Sequence, residues 1–405
     1  MNNKLRLLSR IARPATLTAA VALTLAACGG GDDTATNNDP GQVTFSSKAT
    51  IDNLTDNVIT ATYVDLNTQA QAMLTAISAM TDGASEAELT AAQTAWKQAR
   101  LPWESSEGFL FGPVDSLGID PAIDSWPLNT PDLEAFITSN PAATQADVEN
   151  AGDDLRGFHA IEFLLFGDGV ADNTKSASEL TTGQIAYLEA LAQAFSSRTD
   201  LLAASWVTDF NSAGPFANLV KTAGASGNTT YVSQAAVFEE FINGVITIID
   251  EVANAKIAEP FGTSTATANT TLVESQYSWN SLTDFHNNVQ SVLNVYSGQR
   301  GFDPLSATVS TGSPGLYAFV AAHDATLAER VLQEITQAQQ AIALIKGDGV
   351  NTTTDITGSA QPFRTQIADA GGRALISSAL TALSTLLTSL QSEVLPLVRA
   401  TEFVD

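Results

Sequence analysis

The chain of 405 residues has 44 acidic residues against 18 lysines and arginines, a formal net charge of −26, and a single cysteine. So acidic a chain repels nucleic acid, which we exclude as a partner. One cysteine excludes a disulfide within the monomer, and the length is typical of two domains rather than one.

The first residues have the pattern of a bacterial export signal. Four basic residues precede a short apolar segment, which is too short to span a bilayer stably and ends in small residues before Cys28. This order predicts a lipoprotein signal peptide over residues 1–27 and a lipid on Cys28. The alternative is an ordinary secretory signal followed by a chance cysteine.

We therefore expect a lipid-anchored protein of the cell envelope, with the lipid as its only contact with the membrane. Gly29, rather than an aspartate, follows the cysteine and favours the outer membrane, on the side that faces the periplasm. Residues 28–48 are rich in Gly, Asp, Asn and Thr and are predicted to form a flexible tether.

Apolar residues then recur at helical spacing along most of the chain, beginning with residues 49–80. A second helix opens with a capping-box pattern at Ser85 and is expected to kink at Pro102. Residues 112–131 are rich in Gly and Pro and are predicted to form an ordered loop. Further helices are predicted at 131–139, 144–151, 157–167, 178–211, 229–256, 276–297, 315–346 and 361–390.

Strand-like alternation is scarce, so the pattern predicts an all-α fold of two antiparallel helical-bundle domains. A Gly-, Ser- and Asn-rich stretch at 212–228 separates the two. We place the N-terminal bundle at 49–215 and the C-terminal bundle at 216–405. Similar helix lengths in the two halves suggest an ancient duplication.

The stretch GFHAIEFLLFG, residues 157–167, contains two titratable residues in an otherwise apolar run. In a helix, His159 and Glu162 lie three residues apart and face the same way. A buried imidazole beside a buried carboxylate costs several kcal/mol unless each finds a partner, such as a metal ion, an arginine or a hydrogen-bond network. The alternative to a functional site is a hydrogen-bonded pair that serves packing alone.

Several stretches resemble the imelysin family of bacterial envelope proteins, which is also classed as a peptidase family and linked to iron-regulated uptake proteins. The resembling stretches are the GxHxxE motif at Arg156–Glu162, the helix around Ala95–Glu107, and the segment KIAEPFG followed by Glu274–Asp284. The residues DPAID at 120–124 are similar to a loop in the iron-transport branch of the family.

The resemblance implies two helical bundles with the motif at or near their interface. It also implies a metal-binding cluster in which carboxylates from the loop and from the first-half helix join the motif. The implied cluster consists of His159, Glu162, Glu104, Glu107 and Asp124. Gly157, Arg156 and Arg100 are supporting residues, and either arginine could neutralise the carboxylates in place of a metal.

One imidazole with several carboxylates suits iron or manganese better than a structural zinc site, although zinc or calcium would also be accepted by such ligands. We therefore expect a protein that binds iron, or a ligand that carries iron, and assists its uptake, together with a transport partner in the envelope.

Two other functions remain open. The first is a metallopeptidase in which His159 is a ligand and Glu162 a ligand or general base, although neither HExxH nor HxxEH is present. The second is an envelope interaction module whose motif is purely structural. We lean against an enzyme.

Other conspicuous residues have simpler explanations. His286 and His323 are expected at the surface or in helix packing, and the tryptophans are expected to be core or interface anchors. Glu274 and Asp284 are accounted for by a cap, a turn or a solvated salt bridge.

Overall fold

The computed structural model describes residues 45–346 and 361–403, and every regular element in these residues is helical. The all-α prediction is therefore confirmed for the described residues. The predicted signal peptide, the predicted lipidation site Cys28 and nearly all of the predicted tether lie outside them.

Eighteen α-helices, numbered here in chain order, make up most of the described chain. They are α1 Ser47–Asn53, α2 Ala61–Ser78, α3 Glu86–Glu104, α4 Pro113–Ser116, α5 Ile119–Ile123, α6 Thr130–Ser139, α7 Gln145–Asn150, α8 Gly157–Phe166, α9 Thr182–Val207, α10 Phe216–Lys221, α11 Gln234–Asp250, α12 Glu259–Phe261, α13 Ser281–Ser297, α14 Leu316–His323, α15 Ala325–Lys346, α16 Phe363–Gln366, α17 Ala370–Ser389 and α18 Leu395–Ala400.

Wider π-helical turns and short 3₁₀ turns complete the helical content. The π segments are Leu54–Thr60, Glu251–Ala258 and Leu390–Val394, each of which continues an α-helix. The 3₁₀ turns are Glu107–Phe109, Asp153–Leu155, Ala177–Glu179, Thr265–Thr267 and Thr270–Leu272.

The observed helix boundaries differ from the predicted ones in several places. The predicted loop at 112–131 contains α4 and α5, and the glycine-rich 212–228 contains α10. The single helix predicted at 315–346 is broken at Asp324, whose backbone is extended and whose carboxylate accepts the N–H of Leu327 at 2.9 Å. Asp324 thus caps α15 and separates it from α14.

Helix α13 lies at the centre of the molecule. All of its residues are buried, including many polar ones. It packs against α3 and the turn Glu107–Phe109 from the first half of the chain, and against α11 and α15 from the second half. The chain from Val43 onward is one compact unit by its contacts. The domain boundary at 215/216 and the duplication stay predictions.

The run Ala370–Ala400 is long and apolar enough to cross a membrane by length and composition alone. Its buried residues, among them Ile376, Leu383 and Leu390, recur at helical spacing. It packs against α15 and α11, whereas serine and threonine residues occupy much of its outer side. These contacts are those of a bundle helix with one buried face.

Two helical glycines give a matched test of the packing between α11 and the turn Glu107–Phe109. A Cβ atom at Gly244 would lie 2.3 Å from the carbonyl oxygen of Gly108, whereas a Cβ atom at Gly183 would meet nothing closer than 3.5 Å. We predict that Gly244→Ala lowers the free energy of unfolding by about 2 kcal/mol or more, because the close backbone contact must open. Gly183→Ala should leave stability unchanged or raise it by up to about 1 kcal/mol. Urea denaturation measures both, and equal effects would contradict the packing.

Candidate metal centre

Helix α8 begins at a glycine that its surroundings require. Gly157 has a φ of +79°, and a Cβ atom there would lie 2.4 Å from the carbonyl oxygen of Ile123. Only glycine combines this backbone angle with so close an approach. Because Asp124 follows Ile123, the contact brings the Asp124 carboxylate to the first turn of α8, where His159 lies.

The two ring nitrogens of His159 face different partners. Nδ1 lies 3.0 Å from Oε2 of Glu162, one turn further along α8. Oε1 of Glu162 accepts two hydrogen bonds from Ser278, at 2.8 Å from the backbone N–H and 2.7 Å from the hydroxyl. Both oxygens of Glu162 are therefore engaged, and Glu162 fixes the orientation of the imidazole.

Nε2 of His159 is buried and faces two further carboxylates. It lies 3.2 Å from Oδ1 of Asp124 and 3.7 Å from Oε1 of Glu274. Neither oxygen has hydrogen-bond geometry to Nε2, so among the described residues Nε2 has no hydrogen-bond partner. Ligand atoms of these three residues all lie within 4.8 Å of one another. An imidazole nitrogen and two carboxylates this close form a donor set for a metal ion.

Arg100 on α3 anchors the carboxylates from the opposite side. Its guanidinium is fully buried and forms ion pairs with Asp124 and Glu104. It also reaches Oδ2 of Asp284 at 3.0 Å and Oε1 of Glu274 at 3.4 Å. These four partners come from separate parts of the chain, so Arg100 holds them together.

Lys256 is a second buried cation, and it comes from the π segment that continues α11. Its Nζ lies 3.0 Å from Oε2 of Glu274, 3.6 Å from Glu107 and 3.8 Å from Glu251. Glu107 in turn belongs to a second group of possible metal ligands, with Glu104 and Asp124. Asp124 is thus shared by both groups.

The tryptophans shape the cluster without supplying ligands. Trp103 is buried and donates its indole N–H to Oδ2 of Asp124 at 2.6 Å. The ring of Trp126 packs edge-on against the ring of His159, with centroids 4.7 Å apart. Trp96 is buried and bonds the carbonyl oxygen of Phe158 at 3.0 Å. For these three residues, the prediction of anchoring tryptophans is confirmed.

Within the described residues, the buried carboxyl groups of the cluster outnumber its cations even when His159 is protonated. The cations that form ion pairs within the cluster are Arg100 and Lys256, with His159 as the titratable third. The half-buried Lys97 adds an electrostatic interaction with Glu162. The buried carboxyl side chains are those of Glu104, Glu107, Asp124, Glu162, Glu274 and Asp284. Such an excess requires protons or a bound cation.

Several of these carboxyl groups favour the protonated form. Burial raises the pKa of Glu104 and Glu107 well above the usual value, although Arg100 and Lys256, respectively, oppose the rise. Burial also raises the pKa of Asp284, again against the attraction of Arg100. The folded chain therefore retains protons here that the unfolded chain releases.

The groups around Nε2 of His159 behave differently. Burial alone would raise the pKa of Asp124, but Arg100 and His159 hold it below its usual value. Glu274 is likewise held below its usual pKa by Lys256 and His159 in spite of burial. Burial disfavours the charged imidazole, yet its carboxylate partners raise the pKa of His159 well above 6.5. The carboxylates nearest Nε2 are thus ionised, and each is already paired with a buried cation, Asp124 with Arg100 and Glu274 with Lys256.

The family model described as Imelysin matches residues 59–390. The chain belongs to the imelysin family. The relative named iron-regulated protein A, from Synechococcus elongatus, is 31% identical over 350 residues, which cover 86% of this chain and 86% of the relative.

Solved structures confirm an imelysin-like fold. A crystal structure of an iron-regulated protein A precursor from Parabacteroides distasonis has a TM-score of 0.71 at 29% identity, covering 85% of this chain and 94% of that one. An imelysin-like protein from Psychrobacter arcticus has a TM-score of 0.63 over 90% of this chain and 99% of that one. Its identity is 15%, so the second likeness concerns the fold alone.

The structure places the residues of the imelysin motif and the predicted carboxylates in one cluster, with one exception among the supporting residues. His159, Glu162, Glu104, Glu107 and Asp124 all lie within it, as do Gly157 and Arg100. Arg156 instead pairs with Asp153 and bonds the carbonyl oxygen of Glu149 at 3.1 Å. Glu162 is not in either group of close ligand atoms.

The cluster also contains residues from the second half of the chain that were not among the predicted site residues. A solvated salt bridge or cap is the wrong explanation for Glu274 and Asp284, because both are buried against Arg100. Lys256 and Ser278 lie in the family-like segment, but the sequence assigned no role to either. The available signal was the family-like segment from KIAEPFG to Asp284, which contains all four residues.

We predict that the metal-free protein loses stability as pH rises from about 5 to 8. Glu104, Glu107 and His159 have folded-state pKa values above their unfolded values, so the folded state binds more protons and stability falls with pH. Asp124 and Glu274, with lowered pKa values, are ionised in both states in this range and add no slope. Each additional bound proton contributes about 1.4 kcal/mol per pH unit.

Urea denaturation in a chelating buffer at several pH values measures this slope. Glu104→Gln should make stability depend less steeply on pH. Glu88→Gln should not, because Glu88 is exposed at the start of a helix and its pKa is lowered by Ser85. A stability that rises over the same pH range would contradict the protonated cluster.

Proposed function

We propose that this imelysin-family protein binds a divalent metal ion, with iron as its physiological cargo, and assists iron uptake in the cell envelope. The observation that carries the proposal is the buried Nε2 of His159. It has no hydrogen-bond partner in the part of the chain that the structure describes, and it faces the carboxylates of Asp124 and Glu274. These three residues are the proposed ligands.

The donor set supports a hard or borderline ion. One imidazole and two or more carboxylates suit ferrous iron or manganese, whereas a structural zinc site would use cysteines or several histidines. Glu104 and Glu107 lie beside Asp124 and add negative charge that attracts a cation. A metal bound here would replace protons that the cluster otherwise retains.

The structure supports a role for Glu162 that differs from direct ligation. Its oxygens face Nδ1 of His159 and the N–H and hydroxyl of Ser278, which leaves it in the position of a carboxylate that orients a metal-binding histidine. We therefore propose Glu162 as the orienting residue of the site.

Iron is favoured among the possible metals by the relatives. The Synechococcus elongatus relative and the Parabacteroides distasonis structure are both named iron-regulated protein A. With the export signal and Cys28, we propose a lipid-anchored protein at the outer membrane, facing the periplasm, which passes its ion to a transport partner.

A metallopeptidase and a purely structural motif find less support. A general base must reach a water molecule, and both oxygens of Glu162 are already engaged. A purely structural motif would leave Nε2 of His159 buried with no hydrogen-bond partner among the described residues, which burial makes costly.

Calorimetry on the purified protein, stripped of metal by a chelator, tests the proposal. We predict binding of ferrous iron under anaerobic conditions, and of manganese. His159→Ala and Asp124→Asn should each lower the affinity about 100-fold or more, because each removes a ligand. Glu162→Gln should lower it about 10- to 100-fold, as the loss of an orienting partner does.

His323→Ala is the matched control, because His323 lies outside the cluster and bonds the carbonyl oxygen of Phe319 at 2.8 Å. It should bind metal like the wild type. If His159→Ala and the wild type bound metal with equal affinity, the proposed metal site would be wrong. Metal-dependent cleavage of an unfolded protein substrate, abolished by Glu162→Gln, would favour the peptidase instead.

A further inference from the structure

We propose that Lys256 is an internal cation that competes with the bound metal ion for Glu274 and thereby weakens metal binding. The inference rests on the proposed function and concerns how the site releases its ion.

Among the described residues, the ion-pair partners of Lys256 are all carboxylates. Its Nζ lies 3.2 Å from Oε1 and 3.0 Å from Oε2 of Glu274, with Glu107 and Glu251 at 3.6 and 3.8 Å. The side chain is 6% exposed. A lysine buried this deeply costs several kcal/mol unless negative charge surrounds it, so the ammonium occupies a position suited to a cation.

The backbone that carries Lys256 is irregular at this position. Helix α11 continues into the π segment Glu251–Ala258, which contains Lys256. Such wide turns are uncommon and are frequently found at functional sites. Val252 and Ile257 of the same segment are buried, so packing fixes the position from which the lysine reaches the cluster.

A single carboxylate oxygen connects Lys256 with the proposed metal ligands. Oε1 of Glu274 lies 3.2 Å from Nζ of Lys256 and 3.7 Å from Nε2 of His159. A metal ion bound to His159 and Glu274 must therefore share this oxygen with the ammonium or take it over. The ammonium also repels the metal ion. Because both charges are buried, dissolved salt reduces this repulsion only weakly.

If Lys256 competes with the metal ion, removing it changes the metal affinity in the opposite direction from the change expected if Lys256 only supports Glu274. If the lysine only held Glu274 in place, its loss would weaken metal binding. If it competes, its loss strengthens binding, because Glu274 is freed and a positive charge is removed. A site weakened in this way can give up its ion to a partner, which a carrier requires and a permanent store does not.

Titration calorimetry of Lys256→Gln with manganese and ferrous iron tests the proposal. Glutamine removes the charge and keeps a hydrogen-bond donor toward Glu274. We expect the metal affinity to rise about tenfold or more. At an effective dielectric of about 20, the repulsion between a unit positive charge and a nearby dication lowers the affinity by at least this factor. The rise in melting temperature on adding metal should also be larger than in the wild type.

Lys256→Arg, which keeps the charge, should bind like the wild type. Lys221→Met is the matched control because Lys221 forms a more exposed ion pair with Asp56 at 2.8 Å, away from the cluster. If Lys256→Gln is too unstable to purify, Lys256→Met, which keeps the apolar stem, carries the same expectation.

The outcomes separate this inference from the proposed function. If the wild type binds metal, and Lys256→Gln and Lys256→Met bind it equally well or more weakly, Lys256 does not compete with the ion. The proposed metal site is then unaffected. If the wild type and the Lys256 variants all bind no metal, both proposals fail.

Discussion

One buried guanidinium connects the stretches of chain that form the proposed metal centre. Arg100 on α3 pairs with Glu104 on its own helix, with Asp124 after α5, and with Asp284 in the central helix α13. A buried cation and its buried carboxylates each cost several kcal/mol when left alone, so each segment is held by the charge that the others supply. Because the carboxyl groups exceed the cations, the same arrangement that fixes the fold also retains protons, which a bound cation would replace.

Features that depend on neighbours along the chain could be predicted from the sequence. Helical periodicity gave the all-α fold, because a helix repeats its buried face every three to four residues. The same spacing predicts that His159 and Glu162 lie on one face of the helix. In the structure, Nδ1 of His159 lies 3.0 Å from Oε2 of Glu162. The break at Asp324 was missed because an aspartate in an apolar pattern can equally continue a helix or cap the next one.

Contacts between distant parts of the chain could not be predicted in this way. Glu274 lies 174 residues from Arg100 along the chain, and Ser278 lies 116 residues from Glu162. Family resemblance brought Glu104 and Asp124 into the cluster, but no spacing rule indicates that Lys256 turns inward. The structure therefore changes the composition of the proposed site: Glu274 joins the candidate ligands, and Glu162 contacts Nδ1 of His159 instead.

The central claim is that a metal ion binds to Nε2 of His159 between Asp124 and Glu274. Anomalous X-ray scattering from crystals of the protein grown with manganese or ferrous iron, recorded on both sides of the absorption edge, tests this most directly. The account predicts one dominant peak about 2 Å from Nε2 of His159, with oxygens of Asp124 and Glu274 at similar distances. A dominant peak bound by Glu162, or peaks confined to exposed carboxylates with none at His159, would contradict it.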